Sequence, residues 1–350
     1  MALAFVGLGV QGLEGLPQGA LKYLRACEEV YADVYTSPWP PGQLEELGRL
    51  LGGNLRKATR VTLEDGRKVL EGAATGDVAV ACVGDPFMAT THQDLRLRAM
   101  KAHIPVKIFY ASSAVNVVFG ETGLHPYKLG RVITLIRAEP SALASVYAAV
   151  KEALNLGLHS VILLEYSYDE GFDLTPSQGL RMLQDVEKSY RLGVFADDRL
   201  IVVASRVGWP DQSVRCGRLV DLVELDFGPA PHCILVPGPL HYTEEEALGL
   251  LLHVDAKAIS SARTTLAAPS KTIVDRTVAK TRAALVKARE LAAKAPSSGL
   301  DDVFENVEAY LSDAERFILE GKPELALIEA GYAEGLLDSL RLQGRLDLDW

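Results

Sequence analysis

Short apolar runs alternate with stretches of helical periodicity from the first residue to about residue 255, and this alternation restricts most of the chain to an α/β fold. Candidate strands stand at residues 3–8, 30–35, 78–83 and 106–110. A second series follows the Gly- and Pro-containing connection at 120–130, near residues 132–136, 161–164, 200–205 and 233–236. The pattern predicts mostly parallel sheet covered by helices, divided between two α/β domains. From Ser270 onward the strand signals vanish and three helical stretches appear. The first carries Val274, Val278, Thr281, Leu285, Ala288 and Ala292, the second Val303, Val307, Tyr310, Ala314 and Phe317, and the third Leu325, Ile328, Tyr332, Leu336 and Leu340. Ala-Pro-Ser-Ser-Gly at 295–299 and Gly321-Lys322-Pro323 read as the breaks between them. The expected organisation is therefore an N-terminal α/β domain over 1–112, a second over 113–268 and a helical bundle over 269–350.

Composition narrows the class. The 350 residues suffice for more than one core, and 48% hydrophobic with 23% charged residues is the balance of a soluble globular protein. No apolar stretch approaches the roughly 20 residues needed to cross a bilayer. Residues 1–9 lack a basic leader and a cleavage pattern and read as a first strand, so a cytoplasmic location is expected. Cys27, Cys82, Cys216 and Cys233 are scattered without C-x-x-C or His spacing, so neither zinc, any other metal nor a disulfide is expected. A net charge of −10 argues against nucleic acid as the main partner. Residues 270–295 are basic and 296–350 acidic, which suits either docking of the first helix onto the others or solvated faces; solvated faces are the simpler expectation.

Two motifs carry chemistry. Gly84-Asp85-Pro86-Phe87-Met88-Ala89-Thr90-Thr91-His92 closes a buried run, turns and opens a helix that Thr90 or Thr91 can cap, and loops at the carboxyl ends of strands are where ligands sit in open α/β sheets. Gly7-Leu8-Gly9-Val10-Gln11-Gly12 matches G-x-G-x-x-G, with Asp33 where a ribose-binding acid would stand. Taken alone this second motif suggests a dinucleotide fold. However, Pro17 and Gly19 imply that the helix does not start at the third glycine, as phosphate cradling requires.

These motifs, together with Tyr35-Thr36-Ser37, Thr122-Gly123-Leu124-His125-x-Tyr127-Lys128-x-Gly130 and Pro231-His232-x-x-x-Val236-Pro237-Gly238, resemble the diphthine synthase family over residues 1–265. That family lies within the tetrapyrrole-methylase-like (class III) methyltransferases. The resemblance implies a two-domain α/β enzyme, usually a homodimer, holding S-adenosyl-L-methionine between its domains. It implies successive methylation of the amino group on the modified (aminocarboxypropyl) histidine of translation elongation factor 2, in diphthamide biosynthesis. The family's cofactor contacts fall on Val10, Asp85, Met88, Ser113, Ala114, Leu164, Val207 and His232. Val10, Ala114 and Val207 stand where members commonly carry Leu, Ile and Ala, Asp33 where Glu is frequent, and Pro17 in place of a usual Thr. The region from about 270 resembles a small archaeal helical domain of unknown function, at Tyr310-Leu311-Ser312-Asp313-Ala314 and Tyr332-Ala333-Glu334-Gly335-Leu336-Leu337-Asp338.

Methyl transfer from a sulfonium to an amine needs alignment and dehydration more than acid–base catalysis, and no residue in these motifs stands out as a general base. Tyr35 or Tyr127 could meet the growing ammonium through a ring face, and Lys128 could pair with the acceptor's carboxylate. Three rival readings stay open: a methylase acting on a tetrapyrrole precursor, a nicotinamide-dependent oxidoreductase, and a binding protein on an inactive methylase fold.

Overall fold

The computed structural model describes the chain except residues 140–141, 267–268, 295–299, 321 and 349–350. The breaks expected at 295–299 and at Gly321, and the expected boundary at 268, fall on residues outside the described ones. The chain forms two compact units, Met1–Leu266 and Ala267–Trp350.

The first unit contains two five-stranded sheets. Strands β1 (Ala2–Gly7), β2 (Glu29–Asp33), β3 (Leu55–Ala58), β4 (Asp77–Cys82) and β5 (Val106–Phe109) run parallel in the order β3-β2-β4-β1-β5. Between and after them lie helices α1 (Gln18–Ala26), α2 (Gln43–Leu50), α3 (Arg60–Asp65), α4 (Arg67–Thr75), α5 (His92–Lys101) and α6 (Ala114–Thr122). Alternate residues of β1 and β4 enter opposite cores: Leu3, Phe5, Val78 and Val80 one, Ala4, Val6, Ala79 and Ala81 the other. Burial on both faces explains why these strands read as continuous apolar runs. All five carboxyl ends lie at one edge, which places the loops after β1, β2, β4 and β5 together.

The second sheet is built from β6 (Leu129–Leu135), β7 (His159–Leu164), β10 (Leu200–Ser205), β11 (Ser213–Arg218) and β12 (His232–Val236) in the order β11-β10-β12-β7-β6, with β8 (Tyr166–Ser167) and β9 (Phe172–Asp173) forming a small hairpin beside it. Only β6 and β7 pair in parallel; the other three ladders are antiparallel. The expectation of mostly parallel sheet therefore holds for the first half and fails for the second. Apolar runs buried on both faces have the same composition in either direction: Ile162, Ile201, Val203 and Ile234 enter one core, Val161, Leu200, Val202 and Leu235 the other. Helices α7 (Ala144–Asn155), α8 (Pro176–Tyr190), α9 (Leu219–Leu222), α10 (Tyr242–Leu252) and α11 (Ala256–Ser261) complete the unit. Edge strands β3 and β11 escape the sequence pattern because Leu-Arg-Lys-Ala and Ser-Val-Arg-Cys-Gly-Arg offer little apolar alternation.

Among its described residues the second unit is three helices, α12 (Pro269–Lys294), α13 (Asp301–Leu319) and α14 (Pro323–Leu342), around one core. The stripes expected on the first two helices face this core. On α14 the buried face is Ala326, Ala330, Ala333, Leu337 and the expected Leu340, with the expected Leu336 packed against the core, while Leu325, Ile328 and Tyr332 are exposed. Small alanines let two helices approach closely, so the larger aliphatics misled the sequence reading. Lys280–Glu334, Arg282–Glu308 and Arg282–Glu315 join the basic first helix to the acidic other two, so the charge asymmetry is used between helices and not only toward solvent. These partly exposed pairs each contribute at most about 1 kcal/mol. Among the described residues no helix is long and apolar enough to cross a membrane.

Candidate functional site

The loops leaving the first sheet and one edge of the second enclose a cleft of about 500 Å3, a volume suited to a small-molecule ligand. Its floor is set by close backbone approach. A side chain at Gly7 would place its Cβ 2.6 Å from the Gly84 carbonyl oxygen, so the end of β1 must be glycine. One step on, Gly9 and Gly84 exchange backbone hydrogen bonds of 3.2 and 3.0 Å, fastening the loop after β1 to the loop after β4. The glycines thus serve contact between loops. Residues 12–15 form a 3-10 turn and α1 begins only at Gln18, so no helix amino terminus meets a phosphate at Gly12.

Asp33 is likewise not a ribose acid. It is buried, and its carboxylate accepts from the Tyr35 N–H at 2.9 Å, the Thr36 N–H at 3.0 Å and the Thr36 hydroxyl at 2.5 Å, with His92 Nε2 at 3.0 Å. His92 Nδ1 lies 2.8 Å from the Pro86 carbonyl, and the Tyr35 and Thr91 hydroxyls are hydrogen-bonded to each other. This buried pair locks the Tyr35–Thr36 loop to the Gly84–His92 turn, and removing either partner would strand the other in a dry interior. Thr91 occupies the N-cap position of α5 without a side-chain cap, its hydroxyl being taken by Tyr35; the Thr90 hydroxyl donates to the Pro86 carbonyl at 2.6 Å.

Val10, Asp85, Met88, Ser113, Ala114, Leu164, Val207 and His232 all line this cleft. Asp85 Oδ1 accepts from the Phe87 N–H at 2.9 Å and Oδ2 from the Ala111 N–H at 3.4 Å, so the carboxylate ties the turn to the segment after β5 while facing the cleft. Ser113 occupies the N-cap position of α6, its N–H and hydroxyl donating to Asn116 Oδ1 at 2.7 and 3.0 Å. His232 Nδ1 sits 3.0 Å from the Ser205 hydroxyl, whereas its buried Nε2 has no partner among the described residues. Burial, reinforced by Arg206, pushes this imidazole down to about 4, so it is neutral at pH 7. A neutral ring with one unpaired nitrogen at a cleft suits a polar ligand group, because an unmet buried nitrogen is costly.

Of the three residues expected at the acceptor, only Tyr35 lines the cleft; burial pushes its phenol up from the usual value. Tyr127 is 96% exposed and lies outside it. Lys128 is also outside: its Nζ donates to Glu244 Oε2 at 2.5 Å and to the Pro239 carbonyl at 2.5 Å. Glu244 is fully buried and collects four donors, the N–H groups of His125 (2.8 Å) and His241 (2.8 Å), Lys128 and His159 Nε2 (2.9 Å). Burial alone would raise its carboxyl, but the His241 N–H, Lys128 and the other donors outweigh it and bring it down to about 2. His159 Nδ1 accepts from the Gly238 N–H at 2.9 Å, which fixes its proton on Nε2. A Cβ at Gly238 would stand 2.7 Å from the Leu158 carbonyl oxygen. The 122–130 and 231–238 motifs therefore build a structural knot from which Pro231 and His232 reach the cleft, and Lys128, expected at the acceptor, is held within that knot.

Several cleft residues were missed by the sequence reading. Trp209 lines the cleft and donates from Nε1 to the Val10 carbonyl at 3.0 Å, latching the first glycine loop to the second sheet. Beside the cleft lining, Arg206 is held by the Phe227 carbonyl at 3.0 Å, the Pro229 carbonyl and Asp211 at 2.7 Å. The segment around the β8–β9 hairpin adds Glu165, Tyr166, Tyr168, Asp169, Glu170 and Asp173, and α3 adds Arg60. Only the Tyr166-Ser167-Tyr168 aromatic spacing offered a signal; the rest depends on long-range packing.

Residues 2–223 match the family model for tetrapyrrole (corrin/porphyrin) methylases, and residues 272–346 match a family of unknown function, DUF357. Diphthine synthase of Methanocaldococcus jannaschii is 34% identical over 253 residues, covering 71% of this chain and 98% of its own length. Diphthine synthase of Methanothermobacter thermautotrophicus is 32% identical, covering 70% of this chain and 94% of its own. A crystal structure of diphthine synthase superposes with a TM-score of 0.65 at 26% identity, covering 75% of this chain and all of that one (100%).

Proposed function

This chain belongs to the diphthine synthase family of the tetrapyrrole methylases, and we propose that it transfers methyl groups from S-adenosyl-L-methionine, successively, to the amino group of the aminocarboxypropyl histidine of translation elongation factor 2, giving diphthine. The observation that carries this reading is the cleft itself, where the eight residues aligned with the family's cofactor contacts converge. Val10, Met88, Leu164 and Val207 supply apolar walls for the adenine and the methionine chain. Asp85 offers a carboxylate to an amino or hydroxyl group of the cofactor, and the unpaired Nε2 of His232 offers a further polar contact. The bound sulfonium supplies an activated methyl group; the protein's work is to orient the amine, exclude water and accommodate a growing ammonium. Tyr35, Tyr166 and Tyr168 present aromatic surface for that cation.

The cleft disfavours two of the three rivals, while turnover separates the third, an inactive binding protein, from this reading. A tetrapyrrole precursor with several carboxylates calls for a basic trough, yet the lining holds Asp85, Glu165, Asp169, Glu170 and Asp173 against Arg60. A nicotinamide cofactor calls for a helix opening at Gly12 and a free acid at Asp33, and neither is present. We further read residues 1–112 and 113–268 as the two methylase domains, 269–350 as a separate helical domain, and the protein as a cytoplasmic archaeal homodimer that contacts neither nucleic acid nor membrane.

Calorimetric titration with S-adenosyl-L-methionine and NAD, followed by transfer of labelled methyl to modified elongation factor 2 or to tetrapyrrole precursors, tests the reading. Binding of the first cofactor and label in the elongation factor alone are expected. Label in the tetrapyrrole, or saturable NAD binding, would contradict it.

A further inference from the structure

We infer that Arg60 is the acceptor-carboxylate site of this cleft. The inference rests on the function proposed above, since the aminocarboxypropyl acceptor brings both an amine and a carboxylate. With Lys128 committed to Glu244, Arg60 is, among the described residues, the one lysine or arginine that lines the cleft. Among the described residues five carboxylates line it too, four of them from the second sheet's segment between Glu165 and Asp173, so an anion entering there is repelled on that side. Arg60 instead comes from the first sheet's side, at the start of α3.

The guanidinium is prepared for a bidentate contact. Its Nε is engaged by Glu64 Oε1 at 2.8 Å, and its two terminal nitrogens bond no described residue. Its side chain is 66% exposed, as a group that meets a macromolecular acceptor at a cleft mouth must be. Tyr35, whose hydroxyl is held by Thr91, lines the same cleft. Fork-to-carboxylate pairing would fix one end of the acceptor, leaving its amine to point toward the tyrosines and acids that favour a cation. None of the residues aligned with cofactor contacts comes from the stretch between β2 and β4, so the cofactor's own carboxylate is not the expected partner.

The test uses the full chain and semisynthetic elongation factor 2 bearing either the aminocarboxypropyl histidine or its primary amide. Arg60→Gln should lower kcat/KM for the carboxylate acceptor about 10- to 100-fold, and Arg60→Lys should recover part of that loss. On the amide acceptor the wild type should fall by a similar factor and Arg60→Gln should add nothing. Affinity for S-adenosyl-L-methionine should be unchanged in both variants. Equal losses on the two acceptors, a parallel loss of cofactor affinity, or no loss at all would overturn the assignment. A wild type that binds cofactor yet methylates neither acceptor would overturn the proposed function itself.

Discussion

Replacing Glu244 by Gln should destabilise the first unit without altering the cleft. Oε1 accepts from the His125 N–H and His159 Nε2, and Oε2 from Lys128 and the His241 N–H. In the amide, one of these oxygens becomes an NH2 group facing two donors, and Lys128, 23% exposed, loses its counter-charge. The depression of the carboxyl from its ordinary 4.5 to about 2 corresponds to about 3 kcal/mol, in line with the roughly 3–5 kcal/mol expected when one partner of a buried pair is removed. Because the folded-state value is depressed, this contribution is fully present above about pH 4.5 and is lost as the pH falls toward 2. Urea unfolding of wild type and Glu244→Gln, followed by near-ultraviolet circular dichroism, should show a gap of about 3 kcal/mol at pH 7 that narrows below pH 4.5. Lys128→Met should also lose stability, and the double variant should lose less than the sum. A gap under about 1 kcal/mol, a gap independent of pH, or a Lys128→Met variant whose only defect is a raised KM for the acceptor would refute the reasoning.

Asp85→Ala should weaken S-adenosyl-L-methionine binding about tenfold or more with the far-ultraviolet spectrum retained; wild-type affinity in a folded variant would remove the assigned contact. His232, pushed down to about 4 by burial and Arg206, is neutral above that value, so cofactor affinity should be flat from about pH 6 to 8 and decline as the pH approaches 4; titration calorimetry across that range would contradict this by showing a midpoint near 6.5. Truncation after Leu266, where the first unit ends, should leave a soluble protein with the full chain's cofactor affinity, and insolubility would mean that the helical unit completes the fold.

The layered plan was legible because it resides in local signals, apolar runs buried on both faces and glycine turns at strand ends, whereas the cofactor-aligned positions follow from the family resemblance and not from local pattern. Strand direction in the second half was not legible, since Leu200–Ser205 is buried over its whole length whichever way its neighbours run. The roles of Asp33 and Lys128 were invisible for a different reason. Their partners, His92 and Glu244, are 59 and 116 residues away, and nothing local distinguishes a buried ion-pair member from a ligand-binding charge. Trp209, Arg206 and Arg60 escaped on similar grounds. Each acts on or beside a segment brought to it by folding, and a single tryptophan or arginine in a loop carries no periodicity. On α14 the error was confined to Leu325, Ile328 and Tyr332, read as core where Ala326, Ala330 and Ala333 make the close contact, while Leu340 is buried as expected.

In this cleft, we propose, one side chain of elongation factor 2 is methylated. Mass spectrometry of archaeal elongation factor 2 carrying the aminocarboxypropyl histidine, after incubation with this protein and S-adenosyl-L-methionine, tests it most directly. The account predicts added methyl masses confined to the peptide with that histidine, and none on factor lacking the modification. An unchanged peptide, with cofactor binding demonstrated in the same sample, would contradict it.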